Sequence, residues 1–341
     1  MSVRSIAGGR FGLVAALGVA FVLGGATVGA VQMAGASGTS AYYHLGPQER
    51  AGLPYDCSAT PYPGIDLADC AFTGTNLTGA NLTGSDLAGA DVAAADLAGA
   101  NLTGANLTGA NLIDASTSAD LTGANLTGSD LTGASLAGAN LAGANLTDAV
   151  LTGISSGGIR GTPSGLASGW RLVGGYLVGS SAALTGANLT GANLTGFNLA
   201  KANLTGANLT GANLTGANLT GAYLAGAYLA GANLTGANLT DTEINSDLTG
   251  ADLTGADLAG ANLAGAYLVG AKLTKANLTG VLLYDADLTG ANLTGADLAG
   301  AKLTNAALTG TTLTDATWLN TTCPDGTNSN NDGDTCAVDL G

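Results

Sequence analysis

The chain has 341 residues and a formal net charge of −15, from 24 acidic and 9 basic residues. Its 56 glycines amount to about one residue in six, which excludes the one-in-three glycine of collagen. Hydrophobic residues make up 46% of the sequence but aromatic residues only 4%, so any core is built from Leu and Ala. A chain this acidic repels nucleic acid and anionic membrane surfaces, so no direct nucleic-acid binding is expected.

Residues 1–36 have the order of features of a secretory signal peptide. Arg4 and Arg10 give a basic start, Phe11–Leu23 is apolar, and Ala34-Gly35-Ala36 forms an A-x-A cleavage site. We predict cleavage after Ala36 and therefore a secreted or envelope-associated protein, in which residues 37–64 form an N-terminal linker and cap. The alternative is an uncleaved membrane anchor, because the uncharged run is near the length of a spanning helix. This segment is the only expected route to a membrane.

From residue 65 onward the sequence repeats the pattern A-(N/D)-L-(T/A)-G, as in Ala105-Asn106-Leu107-Thr108-Gly109. A period of five fits no standard element. On a helix the Leu positions would spiral around the axis, and on a flat strand successive Leu would point to opposite faces. All Leu share one side only if the chain turns a corner once per repeat. Gly at the end of each unit suits that corner, and Leu and Ala then line the inside.

This A(D/N)LXX tandem covers about 250 of the 341 residues and resembles the pentapeptide-repeat proteins. The resemblance implies an all-β fold, a right-handed quadrilateral parallel β-helix with four repeats per coil. We predict this β-helix over residues 65–153 and 184–318. Its repeats would form about 11 coils and a rod about 50 Å long. Outward Asn residues one coil apart, such as Asn188 and Asn208, are expected to stack in hydrogen-bonded ladders.

The repeat loses one residue at two places. Leu112 and Leu121 are nine positions apart, as are Leu239 and Leu248, and an aspartate precedes each break. A missing residue would bend or retwist the coil locally. We interpret both breaks as tolerated slips of the repeat.

Residues 154–183 form a larger, non-repeat insertion that contains Pro163. A proline lacks the donor that a ladder needs, so we interpret it as the mark of an excursion from the coil wall. The phrases SGGI, GTP, GW and GYL in this segment resemble an interruption of exported bacterial pentapeptide-repeat proteins. The aromatic and basic residues concentrated here are candidate contact residues for a partner: Arg160, Trp170, Arg171 and Tyr176. The alternative is a packed β-hairpin that only patches the coil.

The four cysteines form two pairs, each thirteen positions apart, at the two ends of the repeats. In an exported chain an even count favours disulfides, here Cys57 with Cys70 and Cys323 with Cys336. A zinc site of all four would require ends about 50 Å apart to meet. Residues 319–341 are therefore predicted to be a disulfide-closed tail.

The tail also contains a weak calcium motif. Its oxygen-bearing residues match positions 1, 3, 5 and 12 of a calcium loop with Gly333 at position 6: Asn328, Asn330, Asp332 and Asp339. No flanking helices are predicted, so we favour a plain polar turn. No other metal and no cofactor is expected.

The sequence offers no catalytic constellation. His44 is the only histidine, and the aspartates occupy outward positions of regular repeats. We therefore predict a non-enzymatic scaffold whose partner is an unknown protein or an envelope component. The family resemblance implies an alternative, an acidic DNA-mimic rod that binds DNA gyrase or another topoisomerase. A second alternative is a Thr and Asn lattice that binds ice or a polysaccharide.

Overall fold

The computed structural model describes residues 57–331 and 335–336, together with four short strands nearer the N-terminus. The chain divides into two compact units, Met1–Ala59 and Thr60–Gly341. In the first unit β1 pairs antiparallel with β2, and β3 pairs antiparallel with β4. These strands are β1 (Phe21–Leu23), β2 (Ala26–Val28), β3 (Met33–Ala34) and β4 (Ser40–Ala41).

Apart from β1 to β4, the predicted signal peptide and the linker as far as residue 56 lie outside the described residues. The candidate calcium ligands Asp332 and Asp339 do too. Within the part of the chain that the structure describes, no helix has the length and apolar character needed to cross a bilayer.

The second unit is a right-handed quadrilateral parallel β-helix. Single outward residues pair in parallel with residues twenty positions later, as Asp66 does with Asp86 and Asn81 with Asn101. Twenty residues are four repeats, so each coil has four sides. The sides stack into four ladders, which begin at Asp66, Ala71, Asn76 and Asn81 and are called here the first to fourth ladders.

The corner between two sides is a tight turn that requires a left-handed residue. At one such corner the N–H of Ala105 donates to the carbonyl of Leu102 at 2.9 Å, and Gly104 has a φ of 66°. A turn of this kind needs positive φ at its third residue, where glycine has no steric cost. Where glycine is replaced the backbone keeps this conformation, most often with aspartate, which tolerates it better than bulkier residues. Examples are Asp69, Asp114, Asp148, Asp241, Asp285 and Asp315.

The backbone bonds join each coil to its neighbours. The N–H of Asn101 donates to the carbonyl of Ala80 in the preceding coil at 2.9 Å, and that of Leu102 donates to Asp120 in the following coil at 2.7 Å. An isolated coil would leave these groups unpaired and could not offset its loss of backbone entropy. Stacking is therefore a condition of folding, as expected for a solenoid.

The interior is a column of Leu and Ala. Interior Leu residues such as Leu136 and Leu214, and the Ala two positions before each, are fully buried. Each fully buried Leu contributes about 1.5 to 3 kcal/mol. The interior is less completely buried at its N-terminal end, where Leu77 is only half-buried.

The outward Asn and Asp side chains mainly make local bonds, not the continuous side-chain ladders that we predicted. Asn188 and Asn208 are neighbours on one ladder, but the Oδ1 of Asn188 accepts the N–H of Thr190 at 3.2 Å. This two-residue bond recurs in most repeats because it orders the corner that follows. Bonds between coils also occur, as from Asn111 to Asp91 at 3.0 Å.

At each of the two nine-residue spacings, one side of the coil has four residues in place of five. Both short sides lie on the third ladder. In the first, Thr117 takes the interior position, and its N–H and Oγ1 both donate to the carbonyl of Ser135. The N–H of Ala119 then bonds to the carbonyl of Thr117 at 2.6 Å, which closes the corner one residue early. In the second, Ile244 is buried, and the Ser246 hydroxyl donates to the carbonyl of Leu224. The parallel ladders continue across both sides.

The third ladder is continuous through the whole β-helix. It runs from Asn76 to Thr322 in twelve steps and crosses the insertion directly, since Ser155 pairs with Ala183. At the usual strand spacing the ladder is about 58 Å long. This exceeds the expected 50 Å because coil structure continues in two places where the repeat pattern is lost, on both sides of Pro163 and up to Thr322.

Candidate functional site

The excursion from the coil wall begins later than the sequence indicated. Arg160 pairs with Asn140, and Gly165 pairs with Asn145, so the chain stays in the wall on both sides of Pro163. The prediction that Pro163 marks the excursion is therefore wrong. The ladder requires only backbone groups, and those of the residues next to this proline are available: the N–H of Gly143 bonds to the carbonyl of Thr162 at 2.8 Å.

The excursion itself contains an antiparallel hairpin of β5 (Arg171–Val173) and β6 (Tyr176–Val178). Gly174 and Gly175 form its two-residue loop, with φ of 57° and 84°. Two positive φ values are the requirement of the type I′ turn, which matches the twist of paired strands. Leu177 and Val178 are fully buried. The hairpin is therefore packed against the coil, as the alternative interpretation of the insertion predicted.

The four candidate contact residues divide into two groups. Trp170 is half-buried, and its ring lies where a Cβ atom on Gly179 would be. Tyr176 is also half-buried, and its hydroxyl accepts the N–H of Asn188 at 3.2 Å. These two aromatic residues hold the hairpin on the coil.

Arg160 and Arg171 are exposed. The Arg171 guanidinium lies 4.8 Å from the centroid of the Phe197 ring. Arg160 contributes to the lowered pKa of Asp120, after the larger effect of hydrogen bonds from Thr122. Both arginines are thus available to solvent, and each already contacts or faces a group of the β-helix.

The C-terminal end of the β-helix is closed by a small cap. The third ladder ends where Asn328 pairs antiparallel with Thr322, just before the 3-10 helix Ser329–Asn331. Ser329 and Thr321 are fully buried, and the Ser329 hydroxyl donates to the carbonyl of Trp318. The cap therefore pairs with the edge of the third ladder, whereas Leu313 in the last coil stays half-buried.

A disulfide joins Cys323 to Cys336, with the two Cα atoms 5.4 Å apart and both residues buried. Cys57 and Cys70 are also disulfide-bonded, and no cysteine in the described residues is free. Such bonds persist in oxidising compartments. The disulfides are thus at both ends of the repeats.

Two of the candidate calcium ligands are described, and both use their oxygen atoms within the cap. The Oδ1 of Asn330 accepts the N–H of Asn320 at 2.9 Å, and the Oδ1 of Asn328 accepts the N–H of Asn330 at 3.0 Å. Among residues 57–331 and 335–336 no group of acidic, His or Cys residues could hold a metal ion.

Four exposed tyrosines form a patch that the sequence reasoning missed. Tyr223 lies on the third ladder, Tyr228 and Tyr267 lie on the fourth, and Tyr284 lies at the corner between them. Between 37% and 60% of each residue is exposed. The sequence contained a signal for this patch, because at three of these positions Tyr replaces the usual outward Asn or Asp. The period of twenty was needed to bring them together.

The family model "Pentapeptide repeats" matches the chain in eight copies, which extend over residues 65–153 and 182–317. These ranges are more than half of the chain, so the chain belongs to the pentapeptide-repeat protein family. No curated protein sequence matches the chain.

Several solved structures are similar. HetL, a pentapeptide repeat protein involved in heterocyst differentiation regulation from Nostoc sp. strain PCC 7120, is 30% identical. The match covers 80% of this chain and 95% of HetL, with a TM-score of 0.28. Rfr23 from the cyanobacterium Cyanothece 51142 is 43% identical over 26% of this chain and 58% of Rfr23, with a TM-score of 0.22. QnrB1, a plasmid-mediated fluoroquinolone resistance protein, is 18% identical over 75% of this chain and 92% of QnrB1, with a TM-score of 0.22. At these TM-scores the similarities say nothing about the function of this chain.

Proposed function

We propose that the chain is an exported, non-enzymatic scaffold that presents side chains to a protein or envelope component from a rigid β-helix. The observation that carries the proposal is the buried Cys323–Cys336 disulfide at the capped end, together with the bonded state of Cys57 and Cys70. Bonds of this kind favour an oxidising compartment. The signal-like segment at residues 1–36 agrees with this location.

The state of the acidic groups supports a scaffold without catalysis. Hydrogen bonds from the Thr two positions later lower the pKa of Asp120, Asp252 and Asp287. A general acid near neutral pH needs the opposite, a carboxyl whose pKa burial or a like charge has raised. Each of these carboxylates accepts hydrogen bonds from its own repeat and stays ionised at neutral pH, as expected for a charged surface.

A second candidate function follows from the placement of the acidic groups. On the second ladder Asp91 and Asp130 flank Asn111, and on the first ladder Asp66 neighbours Asp86. Carboxylates at regular coil spacing resemble a line of phosphates, which is the basis of a DNA mimic that binds DNA gyrase. Inhibition of gyrase supercoiling by the purified chain would support this function, and the disulfides count against it.

Fractionation of the producing cells tests the scaffold proposal. A chain with a C-terminal tag is expected in the envelope fraction or the medium, and a matched chain that lacks residues 1–36 is expected in the cytoplasm. If the full chain stays in the cytoplasm with reduced cysteines, export is wrong.

A further inference from the structure

We propose that the patch around the exposed tyrosines is a docking surface for an extended protein segment that carries arginine side chains. The patch is called the tyrosine face and lies on the third and fourth ladders. Its residues are Tyr223, Tyr228, Tyr267, Tyr284, Glu243, Asp247, Asp285 and Asp287. The inference rests on the proposed scaffold function and names the chemistry of its partner.

Aromatic and acidic residues alternate along the fourth ladder of the tyrosine face. The fourth ladder reads Tyr228, Asp247, Tyr267 and Asp287 in consecutive coils, and on the third ladder Glu243 follows Tyr223. Consecutive positions are about 4.8 Å apart. A cation placed over one ring is therefore close to a carboxylate in the neighbouring coil.

Both groups favour the same ligand. A guanidinium within about 6 Å of a tyrosine ring is attracted by the ring's quadrupole, and a carboxylate accepts hydrogen bonds from its fork of donors. Arginine is the side chain that can satisfy both together. The protein already contains half of this arrangement, because the Arg171 guanidinium lies 4.8 Å from the centroid of the Phe197 ring.

The tyrosine face itself contains no basic side chain, and Lys302 lies one coil beyond it on the third ladder. Between Tyr223 and Asp287 the described outward and corner positions of these two ladders include no Lys or Arg. Thr289 hydrogen bonds lower the pKa of Asp287, so this carboxylate is ionised at neutral pH. Tyr267 is 60% exposed and Tyr228 is 55% exposed. Rings this open on an acidic surface are typical of interface residues, among which Tyr is enriched.

Small apolar residues accompany the three ladder tyrosines. The residues after the three ladder tyrosines and their Leu neighbours are Ala225, Ala230 and Val269, where most repeats have Thr. Thr elsewhere donates to an outward Asn or Asp, as Thr215 does to Asn213 at 2.6 Å. A tyrosine offers no such acceptor close to the backbone. Each exchange leaves a small apolar side chain next to its tyrosine, where the stem of a long basic side chain can pack.

A peptide-binding measurement with the full, disulfide-bonded chain tests the inference. The probe is a short fluorescein-labelled peptide of alternating Arg and Ser, followed by fluorescence anisotropy at about 0.15 M salt, where long-range attraction is screened. The variant Tyr223→Asn, Tyr228→Asn, Tyr267→Asn keeps the net charge and introduces the residue that the repeat normally has there. We expect it to bind the probe about tenfold more weakly or worse, and a matched Lys and Ser peptide to bind the wild-type chain more weakly than the Arg peptide.

Two charge variants separate the tyrosine face from the overall acidity. Glu243→Gln with Asp247→Asn removes two charges from the face, and Asp257→Asn with Asp297→Asn removes two from the second ladder. The first pair is expected to weaken binding much more than the second.

Equal losses in the two charge variants would overturn the inference, and so would wild-type affinity in the tyrosine variant. Tyrosine-dependent retention on insoluble polysaccharide, without peptide binding, would also overturn it and indicate a carbohydrate partner. The binding test does not depend on export, so its failure and the failure of the cell fractionation are separate results.

Discussion

The carboxylate oxygen Oδ1 of Asp241 lies 2.6 Å from the position that a Cβ atom on Gly260 would occupy in the next coil. Asp241 is itself a corner residue with a φ of 55°. The same relationship joins Asp69 to Gly89 and Asp114 to Gly133. In these three pairs the aspartate side chain therefore occupies the space that a Cβ atom at the following corner would need. Asp285 is instead followed by Asn305, whose Nδ2 donates to the Oδ1 of Asp285 at 3.0 Å.

This relationship predicts unequal effects of two alanine substitutions. Gly255→Ala strains a left-handed corner with open space around it, at a cost of about 1 to 2 kcal/mol. Gly260→Ala also requires the exposed Asp241 side chain to move to another rotamer, so we expect a further loss of about 0.5 kcal/mol. Thermal unfolding of both variants measures the difference.

A double-mutant cycle provides the control. Asp241→Gly removes the side chain in the way, so Gly260→Ala should cost less in that background. Additive losses in the cycle would show that the aspartate does not restrict the glycine corner.

The four-residue sides predict where the chain tolerates an insertion. A glycine inserted between Ser118 and Ala119 restores a five-residue side, with Thr117 still at its interior position. Since coils of 19 and 20 residues both keep the ladder in register, we expect only a small change in melting temperature. The same glycine inserted between Leu102 and Thr103 makes a six-residue side and should lower the melting temperature strongly. Similar losses at the two sites would contradict this account of the slips.

The hairpin predicts a contrast between neighbouring residues. Trp170→Ala removes a ring that packs on Gly179, so we expect a loss of about 2 kcal/mol for this half-buried residue. Arg171→Ala removes only an exposed contact with Phe197 and should cost about 0.5 to 1 kcal/mol. Thermal unfolding of the two variants gives the comparison. If Arg171→Ala is the more damaging change, the hairpin is not held by its aromatic residues.

The lowered pKa of Asp120 predicts a small dependence of stability on pH. Thr122 bonds, with Arg160 nearby, hold this pKa below its ordinary value of 3.8. A depressed folded-state pKa stabilises the fold above pH 3.8, and the contribution is lost as the pH falls through the folded value. The contribution is small because the group is partly exposed to solvent, which screens its interactions.

Melting temperatures of the wild type and of Thr122→Val, measured between pH 7 and pH 2, test this sign. The difference between them should be largest near neutral pH and shrink below pH 3.8. A difference in melting temperature that grows below pH 3.8 would show that the pKa of Asp120 is not lowered in the folded protein.

The repeating part of the fold could be predicted from the sequence because the same five-residue pattern determines the burial and the corner in every repeat. Leu107 is inside and Gly109 is at a corner for reasons that five residues contain. Relations between coils were harder to foresee. Asp241 meets the corner 19 residues later, at Gly260, because of the slip at Ile244, whereas Asp69 meets the corner 20 residues later, at Gly89. The placement of the slip on the third ladder appears only in three dimensions.

The candidate site was predicted less completely, since the sequence concentrated attention on the irregular insertion. Trp170 and Tyr176 were expected to face a partner, but their rings complete the packing of the hairpin. The tyrosine face lies inside regular repeats, where a single Tyr such as Tyr267 looks like an isolated substitution. Only the stacking of coils shows that it lies beside Asp247 and Asp287.

The most direct test of an exported, oxidised rod is the intact mass of the purified native chain after thiol alkylation without a reducing agent. The account predicts an N-terminus at Ser37 and no alkyl group on any cysteine, with Cys323 and Cys336 recovered in one disulfide-linked peptide after digestion. Alkylation after reduction should then add four groups, one for each cysteine. A chain that begins at Met1 and is fully alkylated without reduction would contradict the account.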